Sequence, residues 1–217
     1  MPSITRIFIL GLAIFTCQLF AEESDIWNYP LKKENVKAID NAFSPMTASP
    51  VIRGNFKQTK NIPQLNKDFV SSGTFVIANN NGILWNTEKP FANKLSISNT
   101  KMIQENASGT RSEIRVGENI VFAQISGTIQ SVFSGNTTKL QEEFNIFFKK
   151  QGKQWLIGLI PKEQAVQKAI TSIELSGSDW LTTIKLIDGS KSTLLYELSN
   201  PKPADKLTAE EKDFFAK

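Results

Sequence analysis

The chain has no histidine and a single cysteine, Cys17. Without histidine there is no Ser-His or Cys-His nucleophile pair, and the usual zinc and haem ligand sets are missing. Cys17 lies in the amino-terminal apolar segment, so the rest of the chain has no thiol nucleophile and no disulfide. An exported domain built this way relies on its apolar core. Charge of one sign is also scarce: 25 basic residues face 21 acidic ones, interspersed, for a net charge of +4. That pattern gives no polybasic tail and no reason to expect nucleic acid as a partner. Paired carboxylates are no better represented. Glu142 and Glu143 are adjacent, which on a strand would send them to opposite faces. Ser176-Gly177-Ser178 reads as a turn rather than a nucleophile elbow, since no base can be named for it. A Ser-Lys pair stays open, but nothing selects one. No catalytic residue, metal or cofactor is expected, and the chain is not expected to be an enzyme.

Nor is there an apolar run of the roughly 20 residues that a membrane-spanning helix needs. The amino terminus instead has the three parts of a secretory signal. Arg6 supplies charge, Ile7 to Phe15 is apolar apart from Gly11, and Ala21 is the small residue at the cut, before Glu22 and Glu23. Residues 1–21 are therefore read as a cleavable signal and 22–217 as one domain working outside the cytoplasm. An uncleaved anchor and lipid attachment at Cys17 are the less favoured alternatives. Ile14-Phe15-Thr16 is bulky where a lipoprotein signal wants small residues.

What is present is β-patterned. A first helix is expected over 31–43, with Leu31, Val36, Ile39 and Phe43 on one stripe and Pro45 in a connector. The period then changes to two. Ile52, Gly54, Phe56 and Gln58 share one face, and Gly73, Phe75 and Ile77 another. Asn79 to Gly82 is a hairpin turn, because Asn and Gly tolerate positive φ. Strands follow near 83–87, 95–97, 101–106 and 111–116. Phe122, Ile125, Ile129 and Phe133 suggest a helix over 118–133, although Gly127 weakens it. A hairpin joins 144–148 to 155–160, and Pro161 fits the start of a helix over 161–170 with Ala165, Val166, Ala169 and Ile170 inward. Strands near 172–176, 180–187 and 192–198 come next. Thr208 and Glu211 form a capping box for a last helix carrying Phe214 and Phe215. About eleven strands joined by tight turns make one antiparallel meander.

Fifteen Phe and four Trp stand out in this composition. A long curled sheet can pack such side chains into a solid core or leave an apolar hollow under covering helices. Periodicity does not separate the two.

Gly54-Asn-Phe-Lys-Gln-Thr-Lys60, Gly73-Thr-Phe75 and Gly82-Ile-Leu-Trp-Asn-Thr-Glu-Lys-Pro-Phe91 resemble, in that order, motifs of the outer-membrane lipoprotein carrier (LolA) family. Trp155-Leu-Ile-Gly-Leu-Ile-Pro-Lys162, Ile173-Glu-Leu-Ser-Gly177 and Leu207 to Phe215 resemble a divergent branch of it. The resemblance implies a mainly β fold with covering helices (α+β), a single unclosed antiparallel half-barrel of about eleven strands lidded by short helices. It also implies a periplasmic carrier that holds acyl chains of a lipoprotein or other lipid non-covalently. The carrier would pass them, as a monomer, from an inner-membrane export complex to an outer-membrane acceptor. The cavity would be lined by Phe56, Phe75, Ile77, Trp85, Leu95, Ile97, Phe144, Ile146, Trp155 and Ile157, with Phe122, Ile125 and Ile129 as the lid. Carriers of the family hold the lid shut with an Arg, where this chain has Asn79-Asn80. An Asn gives no charged, forked clamp, so lid closure and cargo are expected to differ. The alternative is an envelope sensor or assembly factor that uses the same fold to bind a protein.

Overall fold

The computed structural model describes residues 25–79, 81–98, 100–115, 118, 127–128 and 131–216. The expected signal segment 1–21, with its expected cut at Ala21, lies outside them.

Eleven strands form one sheet: β1 (Val51–Ile62), β2 (Lys67–Ala78), β3 (Gly82–Lys89), β4 (Asn93–Ile97), β5 (Lys101–Asn106), β6 (Arg111–Arg115), β7 (Phe144–Gln151), β8 (Gln154–Pro161), β9 (Ile170–Gly177), β10 (Leu181–Asp188) and β11 (Thr193–Ala204). Their spatial order is β6-β5-β4-β3-β2-β1-β11-β10-β9-β8-β7, antiparallel throughout. Sequential hairpins produce this meander, and β1 meets β11 in its middle. β6 and β7 do not pair, so the sheet is unclosed.

Helix α1 (Val36–Thr47) lies on one face, which we call inner. Its Ile39, Phe43 and Met46 are wholly buried in one core cluster with side chains from β3 to β7, strands far apart in the sheet order. The helix begins later than the sequence suggests and runs on through Pro45. Pro45 removes one intrahelical donor, but burial of Met46 one residue later keeps the last turn on its course. Leu31 is not helical. It belongs to a strap along the free edge of β7, where Leu31 N–H donates to the Ile146 carbonyl (2.8 Å) and Phe148 N–H to that of Tyr29 (2.9 Å). An uncovered edge invites pairing with other chains, and this strap occupies it. Trp27 meets Phe147 edge-on at 5.3 Å. Gly158 makes room for it, since a Cβ there would lie 2.7 Å from the Trp27 ring.

The β2–β3 turn forms as expected. Gly82 has φ +116°, and a Cβ on it would lie 2.0 Å from the Ile97 carbonyl oxygen. Two other expectations are corrected. Residues 161–170 hold only one turn, α3 (Gln164–Gln167), with Val166 buried and Ala165 exposed; Pro161 ends β8 and Ile170 opens β9. Pairing of Leu159 with Ile173 leaves too little chain between these strands for a longer helix. Glu142 and Glu143 close a short helix, α2 (Thr137–Glu143), rather than entering a strand. Asn136 caps α2 by accepting from Lys139 N–H (3.0 Å), and Leu140 is its buried anchor. In the expected 118–133 helix, residues 127–128 and 131–133 are helical, and Val132 and Phe133 join the core. Phe122, Ile125 and Ile129 lie outside the described residues.

The outer face carries a second cluster. Val51, Val76, Leu84 and Ile103 are covered by Phe214 and Phe215 of α4 (Ala209–Ala216). The capping box forms: Thr208 N–H donates to Glu211 Oε2 (2.7 Å), and Glu211 N–H to Thr208 Oγ1 (3.2 Å). Arg53 on β1 clasps the same carboxylate through Nε (2.7 Å) and Nη2 (2.5 Å). That hydrogen bonding holds the Glu211 carboxyl below its ordinary 4.5, against some desolvation. A depressed carboxyl contributes stability above its unfolded pKa and loses it as pH falls through the folded one. The melting-temperature gap between wild type and Glu211→Gln is therefore expected to be full at neutral pH. It should close on acidification below about pH 4.5, as thermal melts across pH would show.

Candidate functional site

Strand register assigns each side chain to a face, since directly paired residues project to the same side. Pairings Phe56–Leu198, Phe75–Trp85, Ile77–Ile83, Trp85–Leu95 and Ile83–Ile97 place these residues on the inner face. Pairings Ile146–Leu159 and Phe148–Ile157 do the same across β7 and β8, with Phe144 and Trp155 in step. All cavity residues named from sequence thus share one face.

Phe144, Ile146, Trp155 and Ile157 are buried in the cluster that includes α1, as are Phe56, Phe75 and Ile77, and Trp85 packs against it. Phe43 of α1 stands edge-on to Trp155 at 6.3 Å, and Trp155 Nε1 donates to the Ser178 carbonyl (2.8 Å). Phe144, Ile146, Trp155 and Ile157 form the packed flank. Of the others, Phe56, Phe75 and Ile77 are buried, but Trp85, Leu95 and Ile97 are only half-buried. Met102, Ile114, Ile184, Leu186, Leu194 and Tyr196, which register puts on the inner face of β5, β6, β10 and β11, are also mostly buried but keep some exposure, and Ile184, Leu186 and Tyr196 pack against the α1 cluster. Alternation in 101–106, 111–115 and 180–198 carried that signal. The result is an apolar inner surface that is buried around α1 and, among the described residues, partly exposed along β3 to β6, β10 and β11, which we call the open flank.

Aromatic rings floor the open flank. Trp85 lies 4.7 Å from Phe56, 5.7 Å from Phe75 and, edge-on, 5.1 Å from Tyr196. Burial pushes the Tyr196 phenol up to about 12, so it stays protonated and neutral. Toward the end where β1 turns into β2 and β3 into β4, inner positions become polar and half-buried: Gln58, Ser71, Thr87 and Asn93. Beyond this collar lie exposed apolar side chains: Leu65 and, 81% exposed, Phe91 in the turns, and Phe69 and Val70 at the start of β2.

Two clefts of about 440 and 300 Å³ lie beside α4, sharing Thr74, Val76 and Glu211. Arg53, Lys202 and Glu211 put charge into the larger one, which an acyl chain would have to strip of water. Among the described residues, Asn79 bonds to backbone. Its Nδ2 donates to the Ser49 carbonyl (3.0 Å), tying the β2–β3 turn to the chain entering β1; Asn80 lies outside the described residues. Among the described residues no group of three or more His, Cys, Asp or Glu is placed to hold a metal ion.

The family described as outer membrane lipoprotein carrier protein LolA matches residues 47–214. A comparison with curated proteins finds no match. Among solved structures, a LolA superfamily protein from Nitrosomonas europaea is similar with TM-score 0.48 and 10% identity, over 84% of this chain and 97% of that one. LprF from Mycobacterium bovis has TM-score 0.39 and 11% identity, over 84% and 99%. The MucA/MucB complex of Pseudomonas aeruginosa has TM-score 0.37 and 9% identity, over 82% and 59%. From the family match, which takes in every strand and nearly all of α4, the chain belongs to the LolA outer-membrane lipoprotein carrier family.

Proposed function

We propose that the protein is a periplasmic carrier, not an enzyme. It holds acyl chains of a lipoprotein or other lipid on the open flank of the inner face and moves them toward the outer membrane. The partly exposed inner-face residues Trp85, Leu95, Ile97, Met102 and Ile114, joined by Ile184, Leu186 and Tyr196, carry this reading. A folded protein rarely leaves so many apolar side chains together unless something covers them. Each buried methylene contributes about 0.8 kcal/mol, so one long chain contributes at most about 10 kcal/mol. A carrier must offset most of the membrane's hold and still release. A broad surface with few directional contacts meets both demands better than a snug pocket. The amino-terminal signal supplies the route to the periplasm, where an inner-membrane export complex would load the cargo and an outer-membrane acceptor receive it.

Titration of the purified 22–217 chain with a fluorescent fatty acid tests the reading. Saturable binding is expected. A folded protein showing none would sink it.

A second reading, recognition of a protein partner by the same fold, is favoured by the exposed Leu65, Phe69, Val70 and Phe91 around one rim. A stoichiometric complex formed without lipid, and lost in Phe91→Ser, would support it over the first.

A further inference from the structure

Among the described residues five large apolar side chains are exposed, and four of them, Leu65, Phe69, Val70 and Phe91, gather at one end of the sheet. Antiparallel order defines that end, which carries the β1–β2, β3–β4, β5–β6 and β10–β11 turns. The β2–β3, β4–β5, β7–β8 and β9–β10 turns lie at the other end, and no large apolar side chain described in them is exposed. The apolar end is also tied together, since Gln64 Nε2 of the β1–β2 turn donates to the Ser190 carbonyl of the β10–β11 turn (2.8 Å).

Register joins this end to the acyl face. Alternation on β2 from Phe75 through Gly73 and Ser71 puts Phe69 on the inner face, opposite Lys60. The inner face therefore runs out past Phe69. Charge gathers there as well. Lys67, Lys89 and Lys191 are exposed and make no ion pair among the described residues. With Lys60, four ammonium groups meet three carboxylates: Asp68, Glu88 and Asp188. Two of the three are engaged locally, Asp68 by Asn61 Nδ2 (2.7 Å) and Asp188 by Ser190 and Ser192 of its own turn.

We infer that this end docks on a lipid bilayer bearing anionic headgroups, so that cargo leaves the inner face past Phe69 directly into lipid. This rests on the acyl-carrier reading. A protein partner would need a contiguous apolar patch with charge kept from its centre. Here charge is interleaved: Lys67 and Asp68 lie between Leu65 and Phe69, and Lys89 lies between Phe91 and its pairing partner Ser72 on β2. A fluid surface accepts that arrangement. Leu65 and Phe91 enter it from separate turns, while Lys67, Lys89 and Lys191 lay their apolar stems along it and meet phosphates with their ammonium heads.

The test mixes the 22–217 chain with vesicles of phosphatidylethanolamine and phosphatidylglycerol, or of phosphatidylcholine alone, and reads bound protein by sedimentation. Wild type is expected to bind both, the anionic vesicles more tightly, with the preference shrinking as salt rises. Leu65→Ser/Phe91→Ser should weaken binding to both by about tenfold or more. Its fatty-acid affinity and melting temperature should stay near wild type, since both side chains are exposed and lie off the open flank. Lys67→Glu/Lys89→Glu should lose the anionic preference alone. The rate at which bound fluorescent fatty acid passes to vesicles should rise with vesicle concentration in wild type, as transfer on contact requires, and not in Leu65→Ser/Phe91→Ser. No vesicle binding by folded wild type, or equal binding by that double variant, would overturn the docking surface while leaving the carrier reading intact. A stoichiometric protein complex lost in the same variant, without vesicle binding, would overturn it in favour of a protein partner. If folded wild type binds no fatty acid, the carrier reading falls and the release route with it.

Discussion

Ile97→Glu is expected to abolish acyl-chain binding by a protein that still folds. Ile97 lies on β4, opposite Ile83 and half-exposed on the open flank. With no ligand, a carboxylate there keeps contact with water, and the stability cost should stay within about 1 kcal/mol. An acyl chain laid across it would strip that water and offer nothing in return. Burying an unpaired charge costs several kcal/mol, and about 3 kcal/mol already lowers affinity about 100-fold. Fluorescent fatty-acid titration reads the affinity, and a melt on the same sample reads the fold. Retained binding would mean that the chain lies somewhere other than β3–β6.

Phe43→Ala should do the reverse. Phe43 is wholly buried where α1 fills the other flank, edge-on to Trp155. Removing a buried Phe ring costs about 3–5 kcal/mol through lost transfer energy and the cavity left behind. For a domain of this size that lowers the melting temperature by about 10–15 °C. Acyl affinity measured well below the melt should change by no more than a few-fold, since Phe43 belongs to the packed flank. A large loss of affinity with little change in melting temperature would place Phe43 in the ligand site and contradict the division of the inner face.

Much of this architecture is local, and so legible in the sequence. Alternation over 51–60 and 71–78 sets which residues of β1 and β2 face inward, and the Asn79–Gly82 turn locks their neighbour into register. The Thr208–Glu211 box announces α4, though not that Arg53, 158 residues away, would grip it. Other features have no local signature. Helix α2 buries Thr137 and Leu140, too few residues for a helical stripe to show. The strap over β7 is a few residues whose conformation is set by the sheet edge they cover. Residues 161–170 read as helical because Val166, Ala169 and Ile170 fall at helical spacing, but pairing of β8 with β9 takes the last of them for a strand.

The candidate site divides along the same line. Alternation placed the named residues on one face, because period two is a property of each strand alone. It could not say that Phe144, Ile146, Trp155 and Ile157 would be buried beside α1 while Trp85, Leu95 and Ile97 kept partial exposure. That depends on where a helix from the start of the domain comes to rest.

Photo-crosslinking with a fatty acid carrying a diazirine on its chain addresses the central claim most directly. Peptide mapping after irradiation of the purified 22–217 chain should find label on β3 to β6 and β10 to β11, at residues such as Leu95, Met102 and Leu186. Unlabelled fatty acid should compete it away. Label concentrated instead around Arg53, Asn200 and Lys202, in the cleft beside α4, would contradict the account.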